Sequence, residues 1–546
     1  MDEFSQAEAE LLKPYVTNTN KNVFGLINLP QVVCGALFSR YSRSSKSARR
    51  VLLEEFMQDP QMHFAEIVGS AKNSPTQLIA TKKAEEFYDR VLVGFGDDSV
   101  AELGGAHIAC EQISNLATKF TQDSRIGISP LEKSTRYVYF DKKQDGKYLY
   151  YCGKEITESE VGKIYEKTCD LLFDTYVSLM QKVSEKLMQK YPREKDASER
   201  AYSSAIRAKT CDILRGLLPA GTLTNSGFYG NGRSFEYLLT KMYSSDLPEV
   251  KNLATQMQEE LSFSIPSFVK RANNKYGIAT QQYWIDTRTQ TKKLVEDKFL
   301  TANLPKEKNS TEESTPEVQL IYFDENAHEK LSAAILFEFG MDYASAKKKA
   351  SSLSKGQQLE LISSYVGKRG NRRQKPGRAF EHVFYTFAIC ANFGQFRDLH
   401  RHRILTQMRQ PLSCENGYDM PPELVQMGLD FEFSSAMQEA KASYEQINSV
   451  LGPALAQYVV PMAYRMKWYM HLNLRETFHL IELRSAPQGH TDYRRVVIKM
   501  LDEMKAVQPE LANFIIFANR EDIALERLDA EKRIDERLKK IDEKKY

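Results

Sequence analysis

The sequence predicts an α+β chain made of two tandem repeats, and three observations predict it. Short strand patterns interleave with long helical patterns without a regular strand–helix–strand period. A polar, Ser- and Thr-rich stretch at 303–317 (NLPKEKNSTEESTPE) separates a longer N-terminal part from a shorter C-terminal one. Blocks of sequence recur in the same order on both sides of that stretch.

Strand patterns fall at Tyr137–Phe140, Tyr148–Tyr151 and Val318–Phe323, where β-branched and aromatic residues cluster. Helical periodicity covers 157–190, 248–262, 433–450 and 492–507. Of the recurring blocks, CGALFSRYSRS (34–44) echoes SAAILFEFGMD (332–342). SVAELGGAHIAC (99–110) echoes RAFEHVFYTFAIC (378–390), placing Glu102 opposite Glu381. The longest pair, 217–239 and 459–481, aligns without a gap and matches Pro219 with Pro461, Asn231 with Asn473, and Arg233 with Arg475, all 242 positions apart. The domain plan is therefore an N-terminal arm (1–19), a first repeat (20–302) with an insertion near 139–205, the linker (303–317), a second repeat (318–518), and a charged C-terminal helix (519–546). That last segment alternates charge sign and reads as a solvated helix or a short packing helix.

Composition narrows the function classes. With 546 residues and 42% hydrophobic content, the chain can bury substantial cores, and wholesale disorder is excluded. A formal net charge of +3 argues against a dedicated nucleic-acid binder. No stretch has the roughly 18 apolar residues of a membrane span, and the acidic start MDEFSQAEAELLK is unlike a signal peptide. Seven scattered cysteines with no Cys-x-x-Cys fit neither a disulfide scaffold nor a zinc ribbon, so the reduced cytoplasm is the expected compartment. Neither Gly-x-Gly-x-x-Gly nor a P-loop is present.

Three constellations carry chemistry. Arg401-His402-Arg403 offers planar donor forks suited to phosphate oxygens or an anionic ring, though from composition alone a solvated basic helix end is the favoured reading. Glu132-Lys133-Ser134-Thr135-Arg136-Tyr137 could form a phosphate cradle or be an ordinary strand entry. Asn473 and Arg475, with His479 one turn further on and then Arg484, form a polar helical face or a packed helix with exposed arginines.

Together these residues resemble the flavin-dependent thymidylate synthases, whose signature is Arg-His-Arg-x-x-Ser-x-Asn-x-x-Ser-x-Arg-Tyr. The second repeat keeps Arg401-His402-Arg403 with Thr406 at the first Ser position. It then departs with Met408, Pro411 and Ser413-Cys414. The first repeat does the opposite: Ser129, Ser134, Arg136 and Tyr137 stand in place, while Ser124-Arg125-Ile126 occupies the Arg-His-Arg positions. Downstream, Arg215 before Leu218-Pro219 has Gln457 as its counterpart, and Arg484 has Met242. Each half has lost what the other keeps, which implies one retained composite cleft in a pseudo-dimer of the two repeats.

The resemblance implies reductive methylation of deoxyuridylate to thymidylate, with FAD as cofactor and NADPH and methylenetetrahydrofolate as co-substrates. It implies substrate binding by Glu132, Lys133, Ser134, Thr135, Arg136, Arg215, Asp398, Arg401 and Arg484, Asp398 standing where the family carries Gln. Arg401, His402, Arg403, Asn473, Arg475, His479 and Glu132 would bind flavin, and Arg484 would be catalytic, with no protein nucleophile and no metal. The family's homotetramers imply a homodimer here, acting on small molecules and not on membranes or nucleic acid. Alternatives are hydroxymethylation of deoxyuridylate, an inactive nucleotide or flavin sensor, and RNA binding through the basic stretch 367–378, read as a loop at the cleft mouth.

Overall fold

A computed structural model describes residues 3–42, 44–60, 64, 68, 98–123, 126–300, 316–521 and 523–543. Asp97, which departs from the family pattern, Ser124, Arg125 and the 303–315 part of the linker lie outside the described residues. The described chain mixes helices with two small sheets and forms two compact units. The units are cut differently from the repeats: 133–223 of the first repeat cluster with the C-terminal part.

The first unit comprises Met1–Ile113, Ala117–Glu132 and Thr224–Lys308. Its sheet orders β1 (Gly105–Ser114), β3 (Leu223–Asn231) and β2 (Ile128–Glu132) as β1-β3-β2. Thr224, Ser226, Phe228 and Gly230 alternate inward along β3, the period-two pattern of a half-buried strand. Asn231 ends it and caps the next helix, Gly232–Tyr243, by accepting from the Ser234 amide at 2.8 Å. That helix buries Phe235, Leu238, Leu239 and Met242 and packs on helix Pro248–Ser264.

The second unit comprises Ser114–Leu116, Lys133–Leu223 and Asn309–Tyr546. Its four strands are β4 (Val318–Phe323), β5 (Phe384–Asn392), β6 (Thr406–Arg409) and β7 (Arg465–Asn473), all paired antiparallel in the order β4-β5-β7-β6. Asn473 ends β7 as Asn231 ends β3, accepting from the Glu476 amide at 2.8 Å to start helix Leu474–Arg484. Helices Gly162–Lys190 and Asp430–Ala456 pack together, with Thr168 and Ser443 hydroxyls 2.6 Å apart. The latter helix is broken at Gly452, whose φ of 78° favours glycine and precedes Pro453.

The repeat is visible in the elements. The 3-10 turns Arg215–Leu217 and Gln457–Val459, strands β3 and β7, and the two Asn caps keep the 242-residue offset. The residues matched by sequence also pair alike: Arg233 with Glu102 at 2.7 Å in one unit, Arg475 with Glu381 at 3.5 Å in the other. Within the second unit, a seam of reciprocal backbone bonds surrounds the Pro219–Pro461 bridge. The Ala220 amide donates to Val460 and the Met462 amide to Leu218; Gly221 donates to Tyr458 and Ala463 to Gly216. Each bond has its 242-offset twin with the roles exchanged.

Two expectations are corrected. Tyr137–Phe140 forms no strand: the Arg207 guanidinium covers the Tyr139 ring at 4.3 Å and the Cys211 thiol donates to the Val138 carbonyl, so the segment lies on helix Glu199–Leu214. In Tyr148–Tyr151 only Tyr150 makes a bridge, to Thr222. Val318–Phe323 is the strand expected, and the four helical patterns correspond to Gly162–Lys190, Pro248–Ser264, Asp430–Ala456 and Thr491–Val507. At the C-terminal end, Leu528–Glu543 lies on Glu199–Leu214, with Leu528 against Ala197 and Ala205 and Arg200 paired to Glu531 and Asp535. No helix among the described residues is long and apolar enough to cross a membrane.

Candidate functional site

The second unit gathers most of the sequence-predicted site residues. Arg136 follows the Ser134 turn, whose hydroxyl accepts from the Arg136 amide at 3.2 Å. Its guanidinium forks onto Asp212, near the end of helix Glu199–Leu214, through Nε at 2.8 Å and Nη2 at 2.7 Å. The remaining nitrogen, Nη1, lies 3.4 Å from the Tyr493 hydroxyl and 3.5 Å from the Gln488 carbonyl. Thr135 accepts from Arg397 Nη1 at 3.1 Å, and the Lys133 ammonium sits over the Phe140 ring at 5.2 Å.

Arg215 enters from the 3-10 turn that ends the same helix. It is buried, donates through Nη1 to Asp398 Oδ2 at 3.4 Å, and its Nη2 has no hydrogen-bond partner. A buried guanidinium nitrogen left unsatisfied is costly unless a ligand completes it. Burial pushes the Asp398 carboxyl up, yet Arg215, Arg136, Arg401 and Arg484 outweigh it and hold the group well below the usual carboxylate range. Four arginines, two from each repeat, thus act on one half-buried carboxylate.

His402 is buried between Glu476 and Arg484. Its Nδ1 lies 2.7 Å from Glu476 Oε1, and its Nε2 lies 2.9 Å from Arg484 Nε, which can only donate. Burial, Arg484 and Lys375 keep the imidazole neutral, so Nδ1 carries the proton and donates to Glu476. Burial raises Glu476, partly offset by His479 and Lys375, and burial lowers His479 to about 4. The His479 ring is 5.4 Å from that of His402. His402, Glu476 and His479 present donor atoms close enough for a metal ion. The cationic Arg484 and Lys375 beside them oppose one, and Arg484 already occupies His402 Nε2.

Arg401 and Arg403 flank His402 on the exposed side. Arg475 is held by the Pro376 carbonyl at 2.8 Å and by Glu381. Glu132 belongs to the first unit, where its buried carboxylate accepts from Lys119 at 3.2 Å, Gln122 at 3.2 Å and Thr118 at 3.3 Å. The basic stretch 367–378 is not wholly an open loop: Arg369 is buried and forks onto Glu482, so that charge is structural and unavailable to RNA. Nearby, Asp212 and His490 also line a cavity of about 250 Å³ with Lys209, Asp492, Arg495 and Glu526. There the cations are already neutralised, Lys209 by Glu423 and Glu526, Arg495 by Glu317 and Asp492, so that cavity lacks the unmet donor found at Arg215.

Sequence reasoning missed Asp212, Glu476, Gln488 and Tyr493. Asp212 lies three residues before Arg215, on the same helical face, and Asn473-x-x-Glu476 has capping-box spacing. Nothing local marks Tyr493, whose ring lies 5.9 Å from the Arg136 guanidinium carbon and 5.8 Å from that of Arg484.

Comparison with known proteins bears on this geometry. The family described as Thymidylate synthase complementing protein matches residues 42–267 and 324–510. A UPF0159 protein of Chlamydia pneumoniae is 41% identical over 97% of this chain and 98% of its own length. A UPF0159 protein of Thermoplasma acidophilum is 34% identical over 91% and 98% respectively. The flavin-dependent thymidylate synthase of Sulfolobus acidocaldarius is 28% identical over 24% of this chain and 54% of its own. Among solved structures, a UMP/dUMP methylase from Streptomyces cacaoi bound with 5-Br dUMP matches with a TM-score of 0.28 and 17% identity, covering 36% of this chain and 93% of its own.

Proposed function

The chain belongs to the thymidylate synthase complementing protein family, and from that premise we propose that it reductively methylates deoxyuridylate to thymidylate, using methylenetetrahydrofolate, NADPH and a bound FAD. The observation that carries this reading is the convergence of Arg136 and Arg215 with Arg401 and Arg484 around Asp398. Set against Asp212 and Asp398, the four guanidiniums leave an excess of two positive charges, which suits a phosphate dianion.

Arg215 Nη2 is the donor left for that phosphate, with the charge of Arg136, whose nitrogens are held by Asp212, Tyr493 and Gln488, alongside it. Arg484 is aimed by His402 and by the Tyr493 ring, so its charge is fixed before substrate arrives. It stabilises the uracil anion formed when N3 gives up its proton, and neutral His402 holds it without a competing charge. The exposed guanidiniums of Arg401 and Arg403, with Lys375, Arg475 and His479 behind them, are a donor set that fits an anionic dinucleotide, and these residues would hold FAD. When bound there, FAD would supply the hydride that completes the methyl group. Cys211, the thiol next to Asp212, does not suit a nucleophile, since burial pushes it up to about 12.

A second reading, hydroxymethylation of the same nucleotide, is favoured by Asp398, an ionised carboxylate where the resembling synthases carry an amide. The seam at Pro219 and Pro461 supports treating the two repeats as a pseudo-dimer, with a homodimer of chains reproducing the family's tetramer. The test is mass spectrometry of nucleotides after anaerobic incubation with FAD, NADPH, methylenetetrahydrofolate and deoxyuridylate. Thymidylate that disappears in Arg484→Ala is the expected result. A hydroxymethyl product moves the assignment to the second reading, and no product with flavin bound leaves a sensor.

A further inference from the structure

The family match ends at residue 510, and the segment after it is tied down beside the site. The Asn519 amide donates to Ser485 Oγ at 3.1 Å, and Arg494 donates to the Glu521 carbonyl at 2.6 Å. Glu526 is buried and accepts from Lys209 at 3.0 Å and from Thr491 at 2.9 Å. Lys209 and Asp212 share helix Glu199–Leu214, and Thr491 and Tyr493 share helix Thr491–Val507. The next residue, Arg527, is thereby delivered between the two helices that carry the supports of Arg136.

Arg527 places its guanidinium carbon 4.5 Å from the centroid of Tyr137, the Tyr that follows Arg136. The Arg136 carbon lies 5.8 Å from the same ring. With Tyr493 and Arg484 the chain forms a row of alternating arginines and tyrosine rings: Arg527, Tyr137, Arg136, Tyr493, Arg484. Arg527 Nε is buried without a hydrogen-bond partner, and its nearest carboxylate, Glu531, is 3.7 Å from Nη2. Meanwhile Arg136 spends two of its three nitrogens on Asp212, so the first-repeat side of the cleft is short of phosphate donors.

We propose that Arg527 is an additional arginine of the nucleotide-phosphate site, supplied by the C-terminal segment beyond the family's own boundaries. The inference rests on the nucleotide reading above. Arg527 widens the phosphate end of the cleft and sets the preference for a charged nucleotide over its uncharged nucleoside.

The test compares dissociation constants of deoxyuridylate and deoxyuridine by calorimetry for the native chain, Arg527→Gln and Arg527→Lys. A charge-assisted contact predicts about tenfold weaker deoxyuridylate binding in Arg527→Gln. Deoxyuridine binding should stay within about twofold, and Arg527→Lys should recover part of the loss because it keeps the charge and loses the fork. Equal weakening of nucleotide and nucleoside assigns Arg527 a merely structural role and overturns the proposal, as does no weakening of either. Failure of the native chain to bind deoxyuridylate overturns the nucleotide reading and the proposal with it, whereas native binding with an unaffected variant overturns only the proposal.

Discussion

Replacing Asp212 with Asn keeps the side-chain volume and one acceptor oxygen but removes the charge facing Arg136. The two side chains are only 9% and 8% exposed and share bonds of 2.8 and 2.7 Å. Neutralising one partner of such a pair leaves a buried charge uncompensated, at a cost of about 3–5 kcal/mol. The second unit holds roughly 330 residues, and at about 2.1 cal/mol/K per residue its unfolding entropy is about 0.7 kcal/mol/K, so its Tm should fall by about 4–7 °C. Arg136→Met combined with Asp212→Leu should recover most of the loss, since an apolar pair carries no desolvated charge. Burial pushes the Asp212 carboxyl up, but Arg136 and His490 hold it below its ordinary value. The gap between native and Asp212→Asn chains is therefore full above about pH 4 and narrows below it as the native carboxyl is protonated. Differential scanning calorimetry from pH 7 to pH 3 reads all three quantities. A Tm loss under about 1 °C at pH 7, or a gap that widens on acidification, would refute the reasoning.

Two further outcomes follow from the site's packing and charge. In Gly394→Ala the new Cβ would sit 3.3 Å from Arg215 Cζ and Nε and 3.2 Å from Asn392 Oδ1. Alanine suits the helix Phe393–Leu399, so circular dichroism should be unchanged while the displaced Arg215 weakens deoxyuridylate binding by about tenfold; unaltered affinity would remove Arg215 from the phosphate site. For His479, burial, aided by Lys375 and His402 and opposed by Glu476, lowers the value to about 4, so between pH 6.5 and pH 4 the unfolded chain binds a proton the folded chain refuses. Stability should thus fall as pH drops through that window, less steeply in His479→Asn, and an identical slope in the variant would contradict this assignment.

What could be read from the sequence was whatever has a local signature. The 242-residue spacing paired Asn231 with Asn473, but no strand or helix cap was legible there; both residues end strands and cap the helices that follow. The arginines were legible as a divided signature. Their supports were not, because each comes from a distant element. Arg369 looks like one more charge in a basic run, yet its partner Glu482 lies 113 positions away. Glu132 reads as a ligand for the cleft, while its carboxylate is satisfied by Lys119, Gln122 and Thr118 through folding of the first unit. Tyr137–Phe140 has strand-forming residues, but β propensity yields to the packing surface that a helix offers.

The seam at Pro219 and Pro461 has a consequence for concentration. Two separate subunits that met through those reciprocal backbone bonds would come apart on dilution, and a cleft shared between them would dissolve with the contact. Here the contact joins parts of one polypeptide, so its effective concentration is set by the connecting chain and not by how much protein is present. Within one polypeptide the two sides of the contact can differ in sequence, a freedom that symmetry denies to two identical subunits.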